Sequence, residues 1–125
     1  MTGEEFLKNY EELMMADTVG GATPEETLKM FVEALRAEDV NLAARYFLLD
    51  DEGKGDKWVT YLQEIKDNGL MQKLADDLGR AKVDTESVVS ETDYNFVIVN
   101  AEGDVVREIN MELNEFSGVW KIESL

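Results

Sequence analysis

Cysteine and histidine are both missing from this chain of 125 residues. Without histidine the commonest general base and metal ligand is gone, and without cysteine there is no thiol nucleophile, no soft-metal site and no disulfide. Bases are scarce as well: 12 Lys and Arg stand against 28 Asp and Glu, a formal net charge of -16. Such a field repels phosphate backbones and anionic headgroups, so no nucleic-acid partner and no membrane-surface partner is expected. No stretch reaches the roughly 18 consecutive apolar residues of a membrane span. The opening Met1-Thr2-Gly3-Glu4-Glu5 lacks the positive charge and apolar run of a secretion signal. The chain as given therefore reads as soluble, with no direct membrane insertion. Its compartment stays open, because absent cysteines suit any compartment and the excised extracytoplasmic part of an anchored bacterial protein has the same appearance.

What is present is enough for one globular domain. Hydrophobic residues make up 44% of the chain, and at this length about two-thirds of the unfolded surface can be buried without staples. Thr2 and Glu5 have capping-box spacing, and Phe6, Leu7, Tyr10, Leu13 and Met14 follow on one helical face. Ala16 to Ala22, with Gly20-Gly21, breaks that period and reads as a flexible connection, so residues 1–22 form an amphipathic helix with a tether. Met14-Met15 can dock on a neighbouring subunit or fold back on its own domain.

Residues 23–125 read as a single domain. Thr23-Pro24-Glu25-Glu26 combines an N-cap hydroxyl, the chain's one proline at the first helical position and a glutamate returning to the cap. The helix that starts there carries Leu28, Phe31, Val32 and Leu35 on one face and Glu25, Lys29, Glu33 and Arg36 toward water. A short helix over about Leu42 to Leu48, a third from Trp58 to the Asn68-Gly69 cap and a fourth over Leu70 to Leu78 follow. From Val83 the period becomes two. Tyr94 to Val99 suits a central strand, Ile109, Met111 and Leu113 alternate with Glu108, Asn110 and Glu112, and Val119 to Ile122 closes the sheet. Helices followed by strands imply an α+β fold, with N-terminal helices on a curved antiparallel sheet of three or four strands. The Pro24 helix should lie on that sheet, Phe31, Val32 and Leu35 meeting Phe96, Ile98, Met111 and Trp120.

Three segments resemble the nuclear transport factor 2-like superfamily, the cystatin-like cone, and in particular small bacterial lipoprotein-associated domains of unknown function. They are Thr23-Pro24-Glu25-Glu26-Thr27-Leu28-Lys29-Met30-Phe31, the step from Ala34-Leu35-Arg36-Ala37-Glu38-Asp39 into Leu42-Ala43-Ala44-Arg45-Tyr46-Phe47, and the closing Gly118-Val119-Trp120-Lys121-Ile122. The resemblance implies a cone whose interior serves enzymes, ligand binders and association modules alike. Similar steroid isomerases and polyketide cyclases use a His/Asp or Asp/Tyr constellation in the cone. With no histidine here, no catalytic position carries over.

The candidate sites follow from these elements. Trp58, Tyr61, Tyr94, Phe96, Met111 and Trp120 can line an apolar pocket or pack as core. Asp93 as proton acceptor and Tyr94 as hydrogen-bond donor to an enolate are the catalytic candidates, but neighbours in a strand face opposite ways unless a bulge re-aims one. The loop Asp50 to Asp56 is rich in carboxylates, yet an EF-hand register starting at Asp50 puts Lys54 fifth and Tyr61 twelfth, so no metal is expected. Asp76-Asp77 and Glu91 to Asp93 read as surface charge. The expected function is non-enzymatic: an accessory domain binding a small apolar ligand or a protein partner, without a cofactor. The alternatives are a small isomerase, cyclase or dehydratase-like enzyme using the Asp/Tyr pair, and a module that forms a homodimer.

Overall fold

A computed structural model describes residues 3–49, 55–84 and 90–125, leaving aside the side chains of Glu4 and Phe6. Thr2 and residues 50–54 of the acidic loop lie outside the described residues. Among those described, five helices precede a sheet: α1 Gly3–Ala16, α2 Pro24–Arg36, α3 Val40–Ala44, α4 Asp56–Asp67 and α5 Met71–Leu78. The strands are β1 Lys82–Val83, β2 Asp93–Val99, β3 Val105–Asn114 and β4 Val119–Ser124. All pairings are antiparallel, in the order β1-β2-β3-β4, so the fold is α+β with the helices N-terminal to an open sheet.

Helix α2 begins where its caps dictate. The Thr23 hydroxyl accepts from Glu26 N at 3.2 Å, and the Glu26 carboxylate accepts from Ala22 N at 3.0 Å, so each end of the entry holds the other. Its buried face, Leu28, Phe31, Ala34 and Leu35, packs against α5 and β4. On the sheet, pleating puts Tyr94, Phe96 and Ile98 of β2 on the face that also carries Ile109, Met111 and Leu113 of β3 and Trp120 and Ile122 of β4. Phe31, Leu35, Ile109 and Ile122 have no exposed surface, and the Phe31 ring meets Tyr46 and Phe47 edge-on at 6.4 and 5.3 Å.

Two expectations change. The short helix expected over Leu42 to Leu48 ends at Ala44, and residues 46–48 instead run beside β4, bridging Phe47 to Ile122. Ile122 N donates to Tyr46 O and Leu48 N to Ile122 O, both at 2.8 Å. An unpaired strand edge leaves backbone groups unsatisfied, and that demand outweighs one more helical turn.

The connection Ala16 to Ala22 is not a free tether. Trp120 N donates to Gly21 O at 3.0 Å, while the buried Thr27 hydroxyl accepts from Gly21 N at 2.8 Å and donates to Trp120 O at 2.9 Å. Gly20, with φ 153°, fits because a Cβ there would come within 2.5 Å of the Trp120 carbonyl oxygen. Further along, Lys121 is wholly buried and donates to Asp17 Oδ1 at 3.0 Å, to Val19 O at 2.7 Å and to Arg45 O.

Helix α1 is seated by its C-terminal end. Met14 is buried against its own domain, and Asn114, 1% exposed, donates to Met14 O at 2.8 Å while its Oδ1 receives Phe116 N and Ser117 N across the β3–β4 turn. Leu7, Leu13 and Met15 stay exposed. The core thus rests on α2, and Phe31→Ala should cost about 3 to 5 kcal/mol in urea unfolding, as for a fully buried phenylalanine. A loss below about 1 kcal/mol, the scale of ordinary surface substitutions, would refute this packing.

Candidate functional site

The spacing that buries one side of α2 also leaves a border row. Glu25, Leu28, Lys29, Val32 and Glu33 follow each other at three- and four-residue steps, so they form one stripe along the helix. That stripe faces a cavity of about 320 Å³ between α2, the end of α5 and β2. Leu28, Val32, Leu78, Ala81 and Phe96 supply an apolar floor, and Glu25, Lys29 and Glu33 stand exposed at its rim.

Tyr94 stands beside the rim, donating its hydroxyl to Glu25 Oε1 at 3.0 Å. Partial burial, that hydrogen bond and the Glu25 charge push the Tyr94 phenol above its ordinary value. Burial does the same to Tyr46, reinforced by the Glu33 charge and opposed by Arg45. Both phenols are therefore neutral donors at physiological pH.

The six aromatic and thioether residues expected to line a pocket do not share one. Tyr94 lies 5.2 Å from the Phe96 ring and 6.4 Å from Trp120, next to the α2 cavity, which Phe96 alone of the six lines. Trp58 stacks on Phe47 at 3.9 Å and meets Tyr61 at 5.8 Å, so these two pack against the core from α4, away from the α2 cavity. Met111 and Trp120 are buried in the core. Sequence reading missed Val32 and Ala81 as lining residues. Their signal was faint: Val32 sits at the edge of the buried stripe of α2, where full contact with the sheet ends.

Asp93 and Tyr94 diverge. No register shift interrupts β2 until Ile98, so pleating sends Tyr94 to the helix-covered face and Asp93 to the other. There Asp93 is exposed and accepts from the Ser90 and Thr92 hydroxyls at 3.0 and 3.4 Å. The pair cannot act on one substrate atom. Asp76 and Asp77 are also engaged, Asp76 with Arg36 at 3.0 Å and Asp77 with Lys73 at 2.9 Å and with Arg80. Among the described residues no group of acidic side chains is arranged to hold a metal ion.

Asp93 belongs to an acidic outer face. It sits opposite Glu112 in register, and burial together with the charges of Glu123, Asp93 and Glu115 raises the Glu112 carboxyl above its ordinary value. The folded state therefore holds the Glu112 proton more tightly than the unfolded chain. The stability this gives is complete below a pH of about 4.5 and is lost as pH rises through the folded-state value. Glu112→Gln should accordingly raise the urea midpoint at pH 7 and leave it unchanged at pH 4. An equal or lower midpoint at pH 7 would contradict the repulsion.

No family model matches the chain, and comparisons with curated proteins and with solved structures give no match either.

Proposed function

We propose that this chain is a non-catalytic binding domain of the nuclear transport factor 2-like type, which takes a small, neutral, apolar molecule into the cavity between α2 and β2. The observation that carries this reading is the cavity itself. At about 320 Å³ it falls at the lower end of the range in which small-ligand pockets occur, and α2, α5 and β2 supply all of its apolar floor except Ala81. The Glu25 carboxylate, held by the Tyr94 hydroxyl, gives it a polar tip at one end that orients a ligand. The order of elements, helices first and then an antiparallel meander that α2 covers, supports the resemblance seen in the sequence.

A catalytic reading has less support, because the Asp93 carboxylate faces away from Tyr94 and Glu25, the carboxylate that Tyr94 does meet, is exposed at the rim. General acid–base chemistry requires the acid or base within hydrogen-bond reach of the reacting atom. Binding requires only the lining.

The test uses a neutral apolar fluorophore, phenylnaphthylamine, titrated into the whole chain. Saturable one-to-one enhancement is expected, and Val32→Trp, which projects an indole into the cavity, should weaken it about tenfold or more. Absence of saturable binding, or equal binding by a Val32→Trp protein with an unchanged unfolding midpoint, would overturn the proposal.

A further inference from the structure

Two further cavities lie along α5, lined by Lys73 and Asp77 rather than Leu78, and their chemistry is opposite to that of the molecule as a whole. One, of about 430 Å³, is bounded by Lys73, Asp77 and Arg80 on the helix side and by Ile98, Asn100 and Arg107 on the sheet side. The other, a groove of about 290 Å³, runs between α4 and α5 over Tyr61, Ile65, Leu70 and Leu74. Both are lined by Lys73, Asp77 and Arg107, so they adjoin at that point.

The charge here is notable against its surroundings. Lys73, Arg80 and Arg107 are three of only 12 bases in a chain of net charge -16, and they converge with a single carboxylate, Asp77. Asp77 is already bound by Lys73 and Arg80. The Arg107 guanidinium has no hydrogen-bond or ion-pair partner among the described residues. Its position is unusual too. It lies opposite Ile98 in register and two residues before Ile109, so it continues the inward series of β3 on the helix-covered face of the sheet. A half-buried guanidinium without a counter-charge is costly to hold, and a planar carboxylate matches its fork of donors.

We infer that this junction is a binding site for an amphipathic carboxylate, a medium-chain fatty acid or a molecule built like one. The carboxylate pairs with Arg107 beside Lys73 and Arg80, and the hydrocarbon lies along the Tyr61, Ile65, Leu70 and Leu74 groove. The exposure of Leu70, a large apolar side chain at the mouth of that groove, then has a reason. A polyphosphate fits less well, since Asp77 sits among the bases and the whole chain repels multiply charged anions. The inference is independent of the α2 cavity, whose rim carries two carboxylates and one lysine.

Octanoate, below its micelle concentration, is titrated calorimetrically into the full chain, with acetate and octyltrimethylammonium as controls. Octanoate should bind, acetate far more weakly for want of a tail, and the cation should neither bind at this junction nor compete. Arg107→Gln removes no side-chain hydrogen bond or ion pair among the described residues and, with an unchanged unfolding midpoint, should weaken octanoate about tenfold or more. Lys73→Gln should weaken it less, and Val32→Trp should leave it unchanged. Undetectable octanoate binding, equal binding of octanoate by Arg107→Gln, or competition by octyltrimethylammonium would overturn the assignment. Loss of octanoate binding in Val32→Trp with none in Arg107→Gln would place the fatty acid in the α2 cavity instead.

Discussion

A lysine ammonium with no solvent contact organises one whole side of this protein. Lys121 sits in β4 with its side chain fully buried, and its three donors meet one carboxylate and two backbone carbonyls: Asp17, Val19 and Arg45. Burial draws its pKa below the ordinary lysine value, with Asp17 acting in the opposite sense and Arg45 adding slightly to the burial effect. Removing a charge from water costs several kcal/mol, and only full satisfaction by acceptors makes the arrangement tolerable. Those acceptors come from two remote parts of the chain. The segment after α1 and the segment after α3 must therefore both be in place before β4 can bury this residue.

The consequences spread outward from there. With residues 17–21 and 45–48 held against it, β4 is not a free edge, and Thr27 of α2 can reach the Trp120 carbonyl through the same connection. That contact sets where α2 crosses the sheet. Where α2 meets β4 the packing is complete; toward β2 it opens, and the opening is the apolar cavity under Val32. Arg36 reaches Asp76 of α5 at 3.0 Å, an exposed pair worth little by itself, but it lies across the contact between the two helices that line the α2 cavity. Geometry at the α2 cavity thus descends from the way β4 is covered.

Much of this was legible in the sequence, for reasons that are local. The capping residues Thr23 to Glu26 specify a helix start without reference to the rest of the chain, and the alternation of Ile109, Met111 and Leu113 fixes which face of β3 is inward. What was not legible depends on distant partners. In Val119-Trp120-Lys121-Ile122 the lysine looks like an outward surface residue, because nothing nearby signals that Asp17 will come to meet it. Tyr46 and Phe47 fit a helical face until the needs of the β4 edge are known. The candidate site divides the same way: Phe96 follows from strand period, whereas Trp58 and Tyr61 share aromatic character with the sheet residues yet reach the core from α4 through Phe47. Arg107 was hidden by its charge, although the period that places Ile109 inward places it inward too.

The most direct measurement is equilibrium unfolding of Asp17→Asn beside the parent chain from pH 7 to pH 10. Because the folded-state value of Lys121 lies below that of the unfolded chain, the unfolded state holds more protons between the two values, and this residue's contribution makes stability rise with pH there. Removing the Asp17 charge leaves the buried ammonium uncompensated, so the variant should lose about 3 to 5 kcal/mol at pH 7, and part of that loss should return as pH rises. A loss under about 1 kcal/mol at pH 7, with no recovery toward pH 10, is what an exposed ion pair would give and would contradict the account.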